Sequence, residues 1–223
     1  MEANEVSSIT ESNKEYFNKD ASTYDTHPTR VLCAKKCAEA ILKEIKDPEG
    51  YEVMDFACGT VDLSQNMVDE YNKKVSQQGI DKEEMQAICL ELKESEGDQL
   101  NGRKFDLVVC ASAYHHIDDV ESVTRVLASY LKQGGELIVL DLKKQPEHSH
   151  MFHGGGKDHM FHSENRDHIL SHKGGFFPEE LEKIFLATGM LENVSSKVAF
   201  NLSKKIEKDE HTFEWLLVKG KKI

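Results

Sequence analysis

The sequence predicts an α/β protein: a doubly wound, mostly parallel sheet closed by a C-terminal antiparallel hairpin. Three observations carry this. Apolar runs at residues 51–56, 105–111 and 136–141 are too short for independent helices and read as buried strands. Residues 64–78 and 120–131 carry apolar side chains at helical spacing, and each stretch stops at glycine. Residues 193–202 and 212–219 read as two strands joined by a charged turn. Strands that alternate with helices are the pattern of a parallel sheet with crossovers, and the terminal pair supplies the hairpin.

A chain of 223 residues is long enough for one domain with a substantial core, and no composition break divides 1–223. The net charge of −12 and pI near 5.4 argue against a nucleic-acid or anionic-membrane surface, because phosphate binding needs a basic face. A small or neutral substrate is favoured. No apolar run approaches the length of a membrane span, and the acidic N-terminus lacks a signal-peptide pattern, so a cytoplasmic protein is expected. Oligomeric state is not readable. Five cysteines, at 33, 37, 58, 89 and 110, are an odd number and read as buried free thiols in a reducing compartment. Cys33 and Cys37 have helical spacing, which suits either a core-facing role or, with ligands not evident in the sequence, a metal.

Taken in order, residues 1–13 are polar and expected to be frayed. Tyr16, Phe17 and Tyr24 come next in a polar setting, and residues 30–45 suit an amphipathic helix with Val31, Ala34, Ala38, Ile41 and Leu42 on its inward side. Residues 51–56 form a strand that runs into the small residues Ala57, Cys58 and Gly59, and Asp62 or Ser64 is positioned to cap the next helix. A strand, a small-residue turn and a helix N-terminus make the usual seat of a nucleotide-like ligand. Residues 85–92 are the next strand candidate, and residues 94–104 a charged loop with two glycines. Strand 105–111 ends in Tyr114-His115-His116-Ile117-Asp118-Asp119. His116, at a strand C-terminus, suits general-base work near neutral pH, or a single structural hydrogen bond in a turn. The glycine pair Gly134-Gly135 lets a helix stop and the chain reverse into strand 136–141. Residues 145–175 are rich in histidine and read as a loop over the site mouth or a weak metal-binding tract, without a fixed ligand pattern. A last helix opens at Phe177-Pro178 and stops at Gly189.

Asp55-Phe56-Ala57-Cys58-Gly59-Thr60-Val61 resembles the first motif of the class I S-adenosylmethionine-dependent methyltransferases, D-x-G-x-G-x-G, with Ala57 and Val61 at two of the glycine positions. Phe105-Asp106-Leu107-Val108 followed by His115-His116-Ile117-Asp118-Asp119, and the Leu131-Lys132-Gln133-Gly134-Gly135-Glu136-Leu137 turn, are similar to later family motifs in the right order. The segment Phe17 to Tyr24 is similar to the N-terminal stretch of the quinone-biosynthesis branch, which folds over the cofactor.

The resemblance implies a Rossmann-like fold and direct transfer of a methyl group from S-adenosyl-L-methionine to a small-molecule acceptor. It implies cofactor contacts at Tyr16, Asp55, Ala57, Gly59, Thr60, Asp62, Leu63, Glu91, Leu92 and Ala111, with His116 as a candidate catalytic group and no metal. Glu91 reads first as a solvated strand end and then as an adenine contact, and the aromatics as a lid or as an anchor for the N-terminal helix. The pattern sets the ribose-binding acid roughly twenty residues after the first strand. Here Val61-Asp62-Leu63-Ser64 follows Thr60 directly, which implies loss of the first crossover helix and most of the second strand. A sheet one strand short of seven is therefore expected. The alternative is a degenerate fold of this kind, kept as a binding or regulatory module or as an inactive product. A nicotinamide-dependent oxidoreductase shares the turn logic but would need a clear G-x-G-x-x-G.

Overall fold

The computed structural model describes residues 8–57, 61–145, 169–206 and 209–223. Among these residues, five helices and seven strands succeed one another in the order α1 (Ile9–Asp20), α2 (Pro28–Glu44), β1 (Val53–Phe56), β2 (Val61–Asp62), α3 (Gln65–Gln77), β3 (Ile88–Cys89), β4 (Phe105–Ala111), α4 (Val120–Ser129), β5 (Leu131–Leu142), α5 (Pro178–Ala187), β6 (Leu191–Ile206) and β7 (Asp209–Lys222). The sheet runs β3-β2-β1-β4-β5-β7-β6. Its first five strands are parallel, and β7 lies antiparallel between β5 and β6. The doubly wound architecture and the closing hairpin are as the sequence predicts.

The strand count is not. Seven strands are present, because β2 survives as two residues. The chain leaves β1 at Phe56 and re-enters the sheet at Val61, so that β2 begins beside the end of β1 and pairs with it only at Phe56 and Val61. The Ala57 N–H donates to the Val61 carbonyl at 2.8 Å, closing this step. A two-residue β2 can pair only two residues of its other neighbour, so the strand expected over 85–92 shrinks to Ile88 and Cys89. Cys89 is consequently exposed, against expectation, whereas Cys33, Cys37 and Cys110 are buried free thiols.

Alternation along the central strands sorts the core into two layers. Met54, Phe56, Val108, Cys110, Leu137 and Val139 pack against Val126 and Leu127 of α4 and Leu181 and Phe185 of α5. Leu107, Val109, Ile138, Leu140, Trp215 and Leu217 pack against α2. The residues that α2 buries are Cys33, Cys37 and Ala40, while Val31 and Leu42 of the expected inward stripe are 49% and 63% exposed. Small side chains let the helix lie close on the strands, and close packing decides its rotation.

Helix α1 also differs from expectation. It starts at Ile9, with Ser8 Oγ accepting the Glu11 N–H at 3.2 Å and Asn13 buried, so order begins before Lys14. The remaining helices have legible boundaries. Ser64 caps α3 by accepting the Met67 N–H, and Asp119 caps α4 by accepting the Ser122 N–H. At α5, Pro178 occupies the first turn and the Glu180 carboxylate accepts the Phe177 N–H. No helix among the described residues is long and apolar enough to cross a membrane.

Candidate functional site

Strand order reverses between β1 and β4: the chain proceeds outward through β2 and β3 on one side and through β5 on the other. At such a switch point the loops leaving neighbouring strands diverge and open a crevice at the strands' C-terminal ends. A cavity of about 300 Å³ occurs there. Ala57, Asp62 and Leu63 line it from the ends of β1 and β2, Glu91 and Leu92 from just beyond β3, and Ala111 and Ser112 from β4. The β1 and β4 exits share one device. Ala57 (φ +60°) and Ser112 (φ +54°) both take left-handed backbone, which turns the chain sharply where it leaves the sheet.

Helix α1 covers the cavity. Thr10, Asn13, Lys14 and Phe17 all line it, and this i, i+3, i+4, i+7 spacing is one helical face. Polar ties hold the helix at both ends of the crevice. The Asn18 carbonyl oxygen Oδ1 accepts from Ser64 Oγ at 2.9 Å and from the Asn66 N–H at 3.0 Å, while Asn13 Nδ2 donates to the His116 carbonyl at 3.3 Å. Phe17 and Tyr24 supply the aromatic lining. Tyr16 does not line the cavity: its hydroxyl donates to Asp20 and accepts from Arg30, which also pairs with Asp20. Neighbouring helix positions point about 100° apart, so Phe17 faces the crevice and Tyr16 the anchor.

Two acids stand close to the first turn. Asp62 Oδ1 accepts the Ser64 N–H at 2.7 Å. Burial raises the Asp62 carboxyl above the ordinary range, and the Ser64 and Leu63 N–H groups partly offset this. Asp55 is half-buried as a residue, but its Oδ1 is shut off from solvent. Burial, and next the charge of Asp62, push the Asp55 carboxyl up to about 7. Asp55 lies behind the lining and does not form part of it. Glu91 is exposed and ion-paired with Lys93 at 2.8 Å, whereas Leu92 is buried. Gly59 and Thr60 lie outside the described residues, as do residues 146–168 of the histidine-rich tract.

On the β4 side, His116 lines the cavity and lies edge-on to Phe17, with ring centroids 5.4 Å apart. Its Nδ1 is 2.7 Å from the Ile169 carbonyl, an acceptor only, so Nδ1 carries the hydrogen. In the neutral ring the proton-accepting nitrogen is then Nε2. His115 sits behind it, buried, with Nδ1 2.7 Å from Asp141 Oδ1 and its backbone N–H donating to Asp141 Oδ2 at 3.2 Å. Ser112 Oγ accepts from Trp215 Nε1 at 3.2 Å, linking the cavity wall to the opposite core layer.

Residues 54–137 match the methyltransferase domain family. The matched stretch is under half of the chain. The match spans β1 to the start of the paired part of β5 and so contains both walls of the crevice. A protein of Schizosaccharomyces pombe described as an uncharacterized methyltransferase is 36% identical over 154 residues, covering 61% of this chain and 52% of that protein. The chain therefore spans about half the length of the curated relative it matches. The aligned stretch is longer than the part of this chain it draws on, so the relative holds residues within it that this chain lacks.

Among solved structures, a SAM-dependent methyltransferase of Thermotoga maritima, described as a possible histamine N-methyltransferase, superposes with a TM-score of 0.61 at 17% identity, covering 94% of this chain and 99% of its own. The N-methyltransferase NodS of Bradyrhizobium japonicum, solved with S-adenosyl-L-homocysteine, gives 0.59 at 11% identity, covering 96% and 98%. A Clostridium acetobutylicum S-adenosylmethionine-dependent methyltransferase gives 0.59 at 20%, covering 92% and 98%. The chain thus has the fold shared by these proteins.

Sequence reasoning missed Thr10 and Asn13, because residues 1–13 read as a polar tail, and Lys14, because attention fell on the aromatics that follow it. Their helical spacing with Phe17 is the signal that locates them.

Proposed function

We propose that this chain is an S-adenosylmethionine-dependent methyltransferase acting on a small molecule in the cytoplasm. The observation that carries the reading is the position of Asp62. Although the chain reaches it without a crossover, Asp62 ends a strand paired next to β1 and lines the crevice at the switch point.

The residues present fit the cofactor. A cavity of about 300 Å³ is at the lower end of the range for small-molecule sites. It combines apolar walls with carboxylates at Asp62, Glu91, Asp118 and Asp119, of which Asp62 stands at the end of β2 with its Oδ1 held by the Ser64 N–H. Asp62 would take the ribose hydroxyls, and Leu63, Leu92 and Glu91 the adenine. The turn at Ala57, continuing through Gly59 and Thr60, and the backbone at Ala111 would take the amino-acid part. Asp55 supports the turn from behind, and Tyr16 fixes α1 through Asp20 and Arg30. When bound, the cofactor supplies an electrophilic methyl group on a positively charged sulfur.

The chain itself contributes placement and proton handling. Helix α1 forms one wall of the crevice, and the ties through Asn13 and Asn18 hold it there. His116, oriented by Ile169, presents Nε2 as the base that takes the acceptor's proton.

Isothermal titration with S-adenosyl-L-homocysteine tests the reading. One site per chain with micromolar affinity is expected, weakened about tenfold or more in Asp62→Asn, since a carboxylate accepting hydroxyl hydrogen bonds is lost. A folded protein that takes up no ligand overturns it. His116→Gln should leave that affinity intact while lowering transfer of labelled methyl to a small-molecule extract by about a hundredfold.

A further inference from the structure

Along β5, Leu137, Val139 and Asp141 stand two apart and so share one face of the sheet, where the first two belong to the core. Asp141 is fully buried at a position where that row calls for a third apolar side chain. A buried carboxylate is costly unless its oxygens are satisfied. Both oxygens are taken up by N–H groups. Oδ1 accepts the Leu142 N–H at 2.6 Å and lies 2.7 Å from His115 Nδ1, while Oδ2 accepts the His115 backbone N–H at 3.2 Å. An ionised carboxylate only accepts, so His115 Nδ1 carries a hydrogen.

His115 passes this hold on. Its carbonyl accepts the Ser171 and His172 N–H groups at 3.1 and 3.0 Å, and two residues before Ser171 the Ile169 carbonyl accepts from His116 Nδ1. The residue fastened to Asp141 therefore fastens the segment that decides which nitrogen of His116 bears the hydrogen. The other end of that segment is anchored separately, because the Phe176 N–H donates to the Leu142 carbonyl and the Lys144 N–H to the Phe176 carbonyl. Loosening His115 should thus leave the segment on the sheet and free it only against His116. Neither Asp141 nor His115 lines the cavity.

We propose that Asp141, acting through His115, is a positioning residue for the base: it holds His116 in the Nδ1–H tautomer, which leaves Nε2 to receive the proton of the methyl acceptor. This rests on the reading of His116 as that base. The carboxylate is needed because both of its oxygens face donors. An asparagine there has one oxygen and one amino group, so in either orientation it sets an N–H against an N–H and gives up a tie to His115.

The test uses the full chain labelled with heavy nitrogen and reads the ring tautomers by long-range nitrogen–hydrogen NMR correlation at about pH 8, above the ordinary titration of histidine. The His116 signals are identified by their loss in His116→Gln. In the parent chain the Nδ1–H form of His116 should predominate. Asp141→Asn should lower its ratio to the Nε2–H form by about tenfold and lower methyl transfer by a similar factor, with the affinity for S-adenosyl-L-homocysteine unchanged. A fold that Asp141 merely stabilised would lose melting temperature and keep the ratio. His115→Asn, whose Nδ2 stands where Nδ1 stood and can still donate to Asp141, should keep the Nδ1–H form at His116, whereas His115→Leu should lose it; this pair decides the matter if Asp141→Asn does not fold. A parent ring in the Nε2–H form, a ratio that Asp141→Asn leaves unmoved, or transfer that stays at the parent rate while the ratio falls overturns the proposal. A chain that binds no S-adenosyl-L-homocysteine overturns the methyltransferase reading instead, and the tautomer ratio still decides whether Asp141 governs His116.

Discussion

The Asp55 carboxyl gives the site a pH signature whose size is set by its surroundings. It titrates near 7 in the fold, against an ordinary value of 3.8, because burial and the nearby Asp62 charge both disfavour its ionised form. Its folded-state pKa lies above the unfolded one, so between these values the folded chain holds more protons and stability falls as pH rises. From pH 5 to pH 8 the unfolded carboxyl is ionised throughout, while the folded one changes from neutral to charged. At 1.36 kcal/mol per unit the loss over this interval is about 2–3 kcal/mol. Burial shifts Asp62 in the same direction. Glu44 and Asp106 are held low, first of all by Lys197 and Lys132 respectively; their contribution is lost only at acid pH and stays constant here. Asp55→Asn keeps the shape of the neutral acid and removes its titration. Urea unfolding at pH 5 and pH 8 should therefore show the parent chain losing about 2–3 kcal/mol more than the variant. Equal losses in both proteins would refute the placement of Asp55 in a dry, negatively biased setting.

Three further outcomes are expected. Trp215 is the chain's one tryptophan and donates to Ser112 at the cavity wall, so S-adenosyl-L-homocysteine should change its emission, and Ser112→Ala should abolish most of that change without preventing folding. Gly175→Ala should cost more than about 3 kcal/mol in a thermal melt, because φ is +85° and the added Cβ would fall 1.9 Å from the Leu142 carbonyl oxygen. Asn18→Ala removes the bonds that pin α1 to the start of α3; it should speed proteolysis within α1 and weaken ligand binding several-fold, at about 1 kcal/mol per lost bond.

Legibility tracked the strength of the local pattern. Strand β4 is apolar, short and bounded, and structure and sequence agree on 105–111. Helices α3 and α5 announce themselves through Ser64 and Pro178 as well as through spacing, and α4 through spacing. Where two faces competed, periodicity could not choose. Helix α2 has one stripe of Val31, Ala34, Ala38 and Leu42 and another of Cys33, Cys37 and Ala40, and only contact with β4 and β5 decides which is buried. Adjacent aromatics posed the same difficulty in miniature: Tyr16 and Phe17 both suit a lining role, and the Asp20–Arg30 pair claims Tyr16. The cavity lining from β1 to β4 was readable because motif residues lie at strand ends. The α1 face was not, because Thr10, Asn13 and Lys14 are polar and become a surface only once the helix forms.

The shortened passage from Phe56 to Val61 bears differently on the site and on the sheet. A crossover helix does two things in such a fold: it returns the chain to the starting edge so that the next strand can run its full length, and it covers one face. Without it, β2 cannot begin at the bottom of the sheet, and only its last two residues pair. Ligand contacts in this architecture come from the C-terminal ends of strands, and the two residues of β2 that pair lie beside that end of β1. The hydrogen bond from the Ala57 N–H to the Val61 carbonyl holds the surviving end in place, and the Ser64–Asn18 bond secures the start of α3 beyond it. The shortening should therefore appear first as lowered stability and an uncovered surface beside β1, with Asp62 retained at the mouth of the cavity.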